Sequence, residues 1–205
     1  MDGNYEVGVL QVFTVFFIMM GPLRLLPMFA SATSQLPPGQ VRTLAIKSTL
    51  VAVPLFIVAG FVGQNLMDKW HIPAAILQIT NGIIFAFVAF PMVLKFASAN
   101  QKTGPQPEKD LNPFGVVLNM ITTAYGLGTL IMLLELSRDT QRTILVFAAL
   151  GAVLICNFLT MFFIRQLKGK AVFVTLQILG AFLGVLQASL AIEMIHQGWV
   201  SLGSS

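Results

Sequence analysis

The sequence predicts an all-α polytopic membrane protein with six transmembrane helices, and three observations predict this fold class. Of the 205 residues, 56% are hydrophobic and only 10% are charged, whereas soluble domains carry about 25% charged residues. The mean hydropathy of +0.83 is an average over the whole chain, which excludes a sizeable water-exposed domain. Six apolar segments each reach the length of about 20 residues that a membrane-spanning helix needs. They are residues 7–30, 43–67, 74–97, 114–136, 143–164 and 172–195.

The same composition excludes several other classes of protein. A chain with 17 phenylalanines is not disordered, and its one cysteine, Cys156, cannot form an intrachain disulfide. The net charge of +4 could indicate nucleic-acid binding, but the Lys and Arg residues are scattered singly between apolar blocks. Positive-inside membrane topology explains that scatter better. The expected partner is therefore the lipid bilayer and not a nucleic acid.

The first span contains an unusual pair of prolines, Pro22 and Pro27, within the segment Gly21-Pro22-Leu23-Arg24 and its continuation. Each proline removes a backbone donor and clashes with a preceding carbonyl, so the helix is expected to kink or break here. A break within hydrocarbon exposes polar backbone groups that protein or a water-filled cavity must satisfy. The sequence therefore predicts an interrupted first helix.

Arg24 places a charge inside this apolar span, which costs at least about 2.5 to 3.5 kcal/mol near mid-depth. Two interpretations of Arg24 are possible. The long side chain could snorkel to the nearby membrane interface. Alternatively, the guanidinium could pair with a substrate carboxylate beside the broken helix.

The second and third spans are more regular, and each carries one feature of interest. Gly60 and Gly63 in the second span allow close packing of helix backbones. Asn81 in the third span is an amide that can both donate and accept hydrogen bonds. It could bind the amino group of a zwitterion, or it could only hold helices together.

The polar segment 98–113 divides the chain nearly in half. We expect one membrane domain over residues 1–205, built from repeat 7–97 and repeat 114–198, with three spans in each. An odd number of spans per half forces the second half to enter the membrane from the opposite side, so any internal repeat must be inverted. The similar openings Leu77-Gln78-Ile79 and Leu176-Gln177-Ile178 are weak support for such a repeat.

The fourth span contains the run from Thr122 and Thr123 through Gly126, Gly128 and Thr129, in which glycines and hydroxyls would permit unwinding. Interrupted helices at matching positions of two halves indicate a transporter's substrate site, because half-helix N-termini present N–H groups and a positive dipole end to an anion. The candidate substrate-binding residues are Gly21, Pro22, Leu23, Arg24, Asn81, Asn119, Thr122, Thr123, Gly126, Gly128 and Thr129.

The last two spans and the loops set the expected orientation. One side carries Arg42, Lys47, Lys95, Lys102, Lys109, Arg165, Lys168 and Lys170, while the other carries only Lys69, Arg138 and Arg142. The positive-inside rule therefore places loops 31–42, 98–113 and 165–171 in the cytoplasm and both termini outside. In the fifth span, Asn157 is expected to hold helices together. In the sixth, the spacing of Gly180 and Gly184 suits either a packing contact or a homo-oligomer.

These motifs resemble those of the MarC family, also described as the small neutral amino-acid transporter family. Its first span carries Asn-Pro-x-Gly-x-x-Pro, and here both prolines are kept while Gly21 and Arg24 replace the Asn and the Gly. Its fourth span carries Gly-Pro-Gly-Ala, of which Gly126 and Gly128 keep the glycines. The third span keeps part of the family's Arg-Ile-Ala-Gly-Gly, and the sixth, over 178–198, is the most similar. The resemblance covers about residues 7–198.

The resemblance implies an inner-membrane protein that transports, and in some members exports, glycine, alanine and similar amino acids. Arg24 departs from the family, since it adds a charge and a bulky stem where the motif has glycine. If Arg24 points into a cavity, the substrate class could shift toward more anionic molecules. If it points to the interface, the substrate class of the family could survive.

Three functions therefore compete. The leading one is a secondary transporter. The alternatives are an uncoupled channel that uses the same broken helices and a membrane scaffold or assembly factor without transport. An enzyme is not expected, because no Asp, Glu, His or Cys pair lies deep in a span. No cofactor and no metal site are expected for the same reason. No acidic residue is central in a span either, so the sequence names no coupling ion.

Overall fold

The computed structural model describes residues 9–97, 112–137, 139–167 and 170–203, and all of its regular structure in these ranges is helical. Within these ranges eight α-helices follow one another, of which α5 is a single turn. They are α1 (Val9–Met20), α2 (Pro22–Ala32), α3 (Pro38–Trp70), α4 (Ala74–Ala97), α5 (Pro113–Val116), α6 (Ala124–Leu136), α7 (Thr140–Phe163) and α8 (Lys170–Gly203). The predicted all-α class is confirmed.

The bounds of the long helices follow from local chemistry. Pro38 occupies the first helical position of α3, where its missing N–H costs nothing. At the other end His71 adopts a left-handed conformation, with φ of 51°, and closes α3 by donating to the Asp68 carbonyl. Helix α4 begins at Ala74 directly after Pro73 and runs to Ala97, which matches the predicted third span.

The first span is interrupted at Gly21, as the sequence predicts. Gly21 is extended, with φ of −72° and ψ of 172°, and Pro22 starts α2 immediately after it. A Cβ on Gly21 would lie far inside contact distance of the Phe17 carbonyl oxygen, so only glycine fits. Pro27 was expected to contribute to the break, but α2 continues through it to Ala32. The interruption is thus confined to Gly21.

The fourth span is also interrupted, at the start of the predicted run 122–129. Helix α5 passes into a wide π-helical turn over Val117–Ile121, closed by donation from the Thr122 amide to the Val117 carbonyl. Thr122 and Thr123 are extended, and α6 begins at Ala124. Unwinding at Gly126 and Gly128 is therefore wrong, since both lie within α6. Thr123 ends the irregular segment because its hydroxyl caps α6, and the glycines serve close packing instead.

The helices are held together by a close backbone contact between α4 and α8 and by side-chain packing among α1, α3, α6 and α7. Helices α4 and α8 approach so closely that a Cβ on Gly82 would lie 2.9 Å from the Ala191 carbonyl oxygen, and one on Gly198 would lie 2.8 Å from that of Ala75. Elsewhere α1 packs against α7, and α3 packs against both α6 and α7. In the packing of α3 against α6, Gly60 lies against Leu134, which confirms the predicted packing role of Gly60.

Length and apolar composition identify membrane-spanning candidates among the described helices. Three segments are long enough, Val9–Ala32, Pro38–Trp70 and Thr140–Gln166, and Ala74–Phe90 and Gly126–Leu136 are shorter apolar helices. This agrees with a polytopic membrane protein. The inverted repeat and the orientation of the termini stay predictions. The linker 98–113 lies outside the described residues except for Asn112 and Pro113, as do residues 168–169 of the predicted loop 165–171.

Candidate functional site

The two helix interruptions lie against each other in the protein interior. A Cβ on Gly126, in the first turn of α6, would lie 2.6 Å from the Cγ atom of Met20, the last residue of α1. Met20 is buried and Gly126 is buried, so the end of α1 and the start of α6 form one enclosed junction. This junction, defined by Met19 and Met20 of α1 and by Gly126 and Thr129 of α6, is the candidate site.

A polar chain of contacts crosses the junction from α4. The Asn81 Nδ2 atom donates to the Thr129 Oγ1 atom at 2.6 Å, and that hydroxyl donates to the Met19 sulfur at 3.0 Å. Asn81 and Thr129 are both almost completely buried. A Cβ on Gly128 would lie 2.9 Å from the Asn81 Cγ atom, so glycine leaves the room that the amide occupies. Three helices thus meet at these contacts.

The broken end of α1 leaves carbonyl groups that side chains from other helices satisfy. Pro22 has no N–H to offer the Ile18 carbonyl four residues before it, and the Gln187 Nε2 atom of α8 donates to that oxygen at 2.8 Å. The Met20 carbonyl receives a hydrogen bond from the Asn157 Nδ2 atom of α7, also at 2.8 Å. Both amides are about 99% buried. They replace the backbone bonds that the break removes.

Three buried acceptors at or near these breaks have no hydrogen-bond partner among the described residues. They are the Asn81 Oδ1, Asn157 Oδ1 and Thr122 Oγ1 atoms. Buried polar atoms without a partner are uncommon, and each costs about 1 to 3 kcal/mol. Two amide oxygens can therefore accept hydrogen bonds from a donor that enters the site.

The N-terminus of α2 differs from that of α6. In α6 the Thr123 hydroxyl accepts from the Gly126 amide at 3.1 Å, whereas Gly21 offers α2 no side-chain cap. Arg24 lies in the first turn of α2 and is half-buried, and its Nη1 atom is enclosed by protein. At least part of the guanidinium is therefore inside the protein. A helix N-terminus with an adjacent guanidinium is suited to an anion.

The structure brings together most of the predicted residues. Gly126, Gly128, Thr129 and Asn81 share the junction, while Gly21 adjoins it through Met20 and Thr123 caps α6. Pro22 and Arg24 follow in the first turn of α2, and Thr122 lies in the second break. Leu23 belongs to the same turn of α2 and Asn119 to the π-helical turn, but their side chains are outside the described part of the chain.

Sequence reasoning missed Gln187 and the two methionines, and it gave Asn157 only a packing role. Gln187 had a detectable signal, because it is an uncharged polar residue well inside the last apolar segment. Pro22 supplied the complementary signal, since it must leave the Ile18 carbonyl without its usual donor. Met19 and Met20 had none, because buried methionine is ordinary in an apolar helix.

No metal centre is apparent in the described ranges, where no group of three or more His, Cys, Asp and Glu residues could hold a metal ion. The polar groups at the junction are amides, hydroxyls and thioethers, with the guanidinium of Arg24 in the adjoining turn. These groups bind by hydrogen bonding and by dipole orientation. They provide no set of ligands for a divalent cation.

Comparison with known proteins adds the family. A model described as the MarC family of integral membrane proteins matches residues 7–202, which confirms the resemblance seen in the motifs. The UPF0056 inner membrane protein YhgN of Escherichia coli K12 is 27% identical over 195 residues, covering 93% of this chain and 95% of that protein. A UPF0056 membrane protein of Buchnera aphidicola subsp. Baizongia pistaciae is 24% identical over 194 residues, covering 91% and 96%. No solved structure matches the chain.

Proposed function

Because the chain belongs to the MarC family of integral membrane proteins, we propose that it is a secondary transporter that exports small neutral amino acids or related small metabolites. The proposed location is the inner membrane, since the Escherichia coli relative is named as an inner membrane protein. One observation carries the proposal: two interrupted helices meet at a buried junction that holds unpartnered acceptors. Transport and not chemical conversion is the proposed activity.

The chemistry of the junction suits a zwitterion. A carboxylate would be bound by the uncapped N-terminus of α2 and by the guanidinium of Arg24, because both present donors and positive charge. An ammonium group would donate to the Oδ1 atoms of Asn81 and Asn157, which are acceptors already buried in protein. Asn81 is linked to Met19 through the Thr129 hydroxyl, and Asn157 bonds the Met20 carbonyl, so both amides are connected to the last two residues of α1.

The length of the broken helices supports a site near mid-membrane. Over the described residues, α1 has 12 residues and α2 has 11, which correspond to about 18 Å and 16 Å at a rise of about 1.5 Å per residue. Their sum is close to the hydrocarbon thickness of about 30 Å. A break between them therefore lies near the middle of the bilayer, where transporter sites are commonly formed by discontinuous helices.

We further propose that residues 7–97 and 114–198 are inverted three-helix repeats. Support comes from reciprocal contacts: Asn81 of the first half bonds Thr129 of the second, and Gln187 of the second half bonds the Ile18 carbonyl of the first. In the same way α1 packs against α7 while α6 packs against α3. Each broken helix thus contacts the second and third helices of the opposite half. The proposed topology has both termini outside.

An uncoupled pathway through the same junction is the second candidate function. It is favoured because the polar groups described at the junction include no carboxylate, so a proton relay of the usual kind has no residue to carry it. The two functions differ in kinetics. A transporter saturates with substrate concentration and discriminates among solutes, whereas a pore conducts in proportion to concentration.

The direct test is flux of a panel of amino acids in proteoliposomes, with Asn81→Leu as the variant. This change introduces an apolar side chain of similar size and removes both the donor and the unpartnered acceptor. We expect about tenfold lower transport of glycine and alanine. Thr14→Val is the control, since its hydroxyl bonds only its own helix at the Leu10 carbonyl.

The outcomes separate the candidates. Saturable flux that Asn81→Leu lowers and Thr14→Val leaves unchanged supports the transporter. Unsaturable flux of unrelated solutes supports the pore. A folded parent protein that moves no solute in the panel contradicts both and favours the scaffold. Flux that is unchanged by Asn81→Leu with the same selectivity rejects the site at the junction.

A further inference from the structure

A second feature of the molecule, separate from the junction, is an apolar groove between α3 and α7. Its volume is about 490 Å³, within the range of about 300 to 1,000 Å³ that is usual for small-molecule sites. Thr49 is the one residue with a polar side chain that lines it, and its hydroxyl is bonded to the Ala45 carbonyl of its own helix. The groove therefore presents hydrocarbon and no polar atom in need of a partner.

The two ends of the groove differ. At one end Phe61 of α3 and Phe147 of α7 stack, with ring centroids 5.6 Å apart. At the other end Phe158 contacts Phe162, again at 5.6 Å between centroids. The guanidinium carbon of Arg42 lies over the Phe162 ring at 5.2 Å from its centroid. One end is thus closed by aromatic rings and the other carries a cation.

Helical register makes Arg42 continuous with the groove. Arg42, Thr49 and Phe56 are seven residues apart along α3, which places them on one face of the helix. The lining residues of α3 extend from Thr49 to Phe61, a length of about 18 Å. One leaflet of hydrocarbon is about 15 Å thick, half of the total. The groove therefore has the length of an acyl chain in one leaflet and a charged group beyond one end.

From this geometry we propose that the groove binds an anionic phospholipid. One acyl chain lies between α3 and α7, and the phosphate is bound by Arg42, whose guanidinium is exposed and oriented by the Phe162 ring. Basic groups at the ends of membrane helices are a recurrent means of binding such head groups. Charge favours this occupant over a second copy of the chain, since a copy would bring another Arg42 of the same sign.

Lipid in this groove would contact the helix that also supports the junction. Leu154 and Phe158 of α7 line the groove, while Asn157 on the same turn points inward to the Met20 carbonyl. The bound lipid and the broken end of α1 are therefore on different faces of one helix turn. Occupancy would fix the spacing of α7 from α3 without touching the proposed substrate site.

The experiment is native mass spectrometry of the full chain released from detergent with phosphatidylglycerol or phosphatidylcholine added. Three variants are compared with the parent protein. Arg42→Gln removes the cation at the groove, Gly151→Leu fills the groove, and Arg142→Gln removes an exposed cation at the opposite end of α7. A Cβ on Gly151 meets no atom within 4 Å, so the larger side chain has space.

The expected results separate head-group binding from acyl-chain binding. Arg42→Gln should weaken phosphatidylglycerol binding about tenfold and leave phosphatidylcholine unchanged, because only the charge-assisted contact is lost. Gly151→Leu should weaken both lipids, and Arg142→Gln neither. Equal losses from Arg42→Gln and Arg142→Gln would overturn the proposal in favour of general surface charge. The proposal would also be overturned if Gly151→Leu left lipid binding intact but changed the oligomeric state. That result would indicate that a second copy of the chain occupies the groove.

Discussion

The two helix breaks are stabilised in opposite ways. At the break at Thr122 and Thr123, backbone amides are satisfied locally, since the Thr123 hydroxyl caps α6 and the Thr122 amide closes the π-helical turn. The break at Gly21 depends on distant helices, because the Met20 and Ile18 carbonyls that precede it are bonded by the side chains of Asn157 and Gln187. A locally satisfied break keeps its shape wherever the helix moves. A break satisfied by neighbours is coupled to their positions, so the first break is the one whose geometry should respond to rearrangement of α7 and α8.

The largest expected effect comes from Gly21→Ala. The added Cβ would collide with the Phe17 carbonyl oxygen, which belongs to the backbone and cannot move aside without distorting α1. We expect a loss of about 3 kcal/mol in the free energy of unfolding. Thermal unfolding in detergent measures it, with Gly39→Ala as the control because a Cβ there meets no atom within 4 Å. Equal stability of the two variants would contradict the described conformation of Gly21.

A smaller effect is expected from removing the distant amides. Asn157→Leu and Gln187→Leu each leave one buried carbonyl of α1 without its donor, at a cost of about 1 to 3 kcal/mol. Unfolding in denaturant at fixed detergent concentration measures both. The contrast between the two breaks would be contradicted if either variant were as stable as Asn65→Leu, whose exposed amide bonds the Phe61 carbonyl of its own helix.

The smallest effect is expected at the second break. Thr123→Ala removes the cap of α6 and should cost about 1 kcal/mol, whereas Thr123→Ser keeps the hydroxyl and should be nearly neutral. The same unfolding assay distinguishes them. A loss from Thr123→Ala that exceeds the losses from Asn157→Leu and Gln187→Leu would reverse the contrast and make the second break the more dependent one.

Local chemistry explains which parts of the fold were predictable. Apolar length sets the approximate helix positions, and the sequence Gly21-Pro22 forces an interruption because proline lacks a donor and glycine lacks a Cβ. The second break lies at Thr122 and Thr123, the first two residues of the predicted run, whereas the glycines later in that run, Gly126 and Gly128, stay helical. Glycine permits both unwinding and close packing, and here Met20 and Asn81 occupy the space beside these residues. The capping ability of Thr123, which decides where α6 begins, was present in the sequence but not used.

The candidate site was predictable in its residue types and less so in its pairings. Asn81 and Thr129 were both selected as polar lining, yet their direct hydrogen bond depends on how α4 packs against α6, which periodicity does not specify. Asn157 and Gln187 show the same limit more strongly. Each lies more than 130 positions from the carbonyl that it bonds, with separations of 137 and 169. Such pairs are fixed by tertiary packing and not by any local pattern.

The glycine contacts between α4 and α8 constrain how the molecule could open. At Gly82 and Gly198 the two backbones are so near that neither helix can slide or roll past the other without collision. These helices belong to opposite halves of the chain, so the contact between α4 and α8 joins the two halves as a fixed pair. In the transporter that we propose, inward and outward access would then alternate by rotation of the remaining helices about this pair.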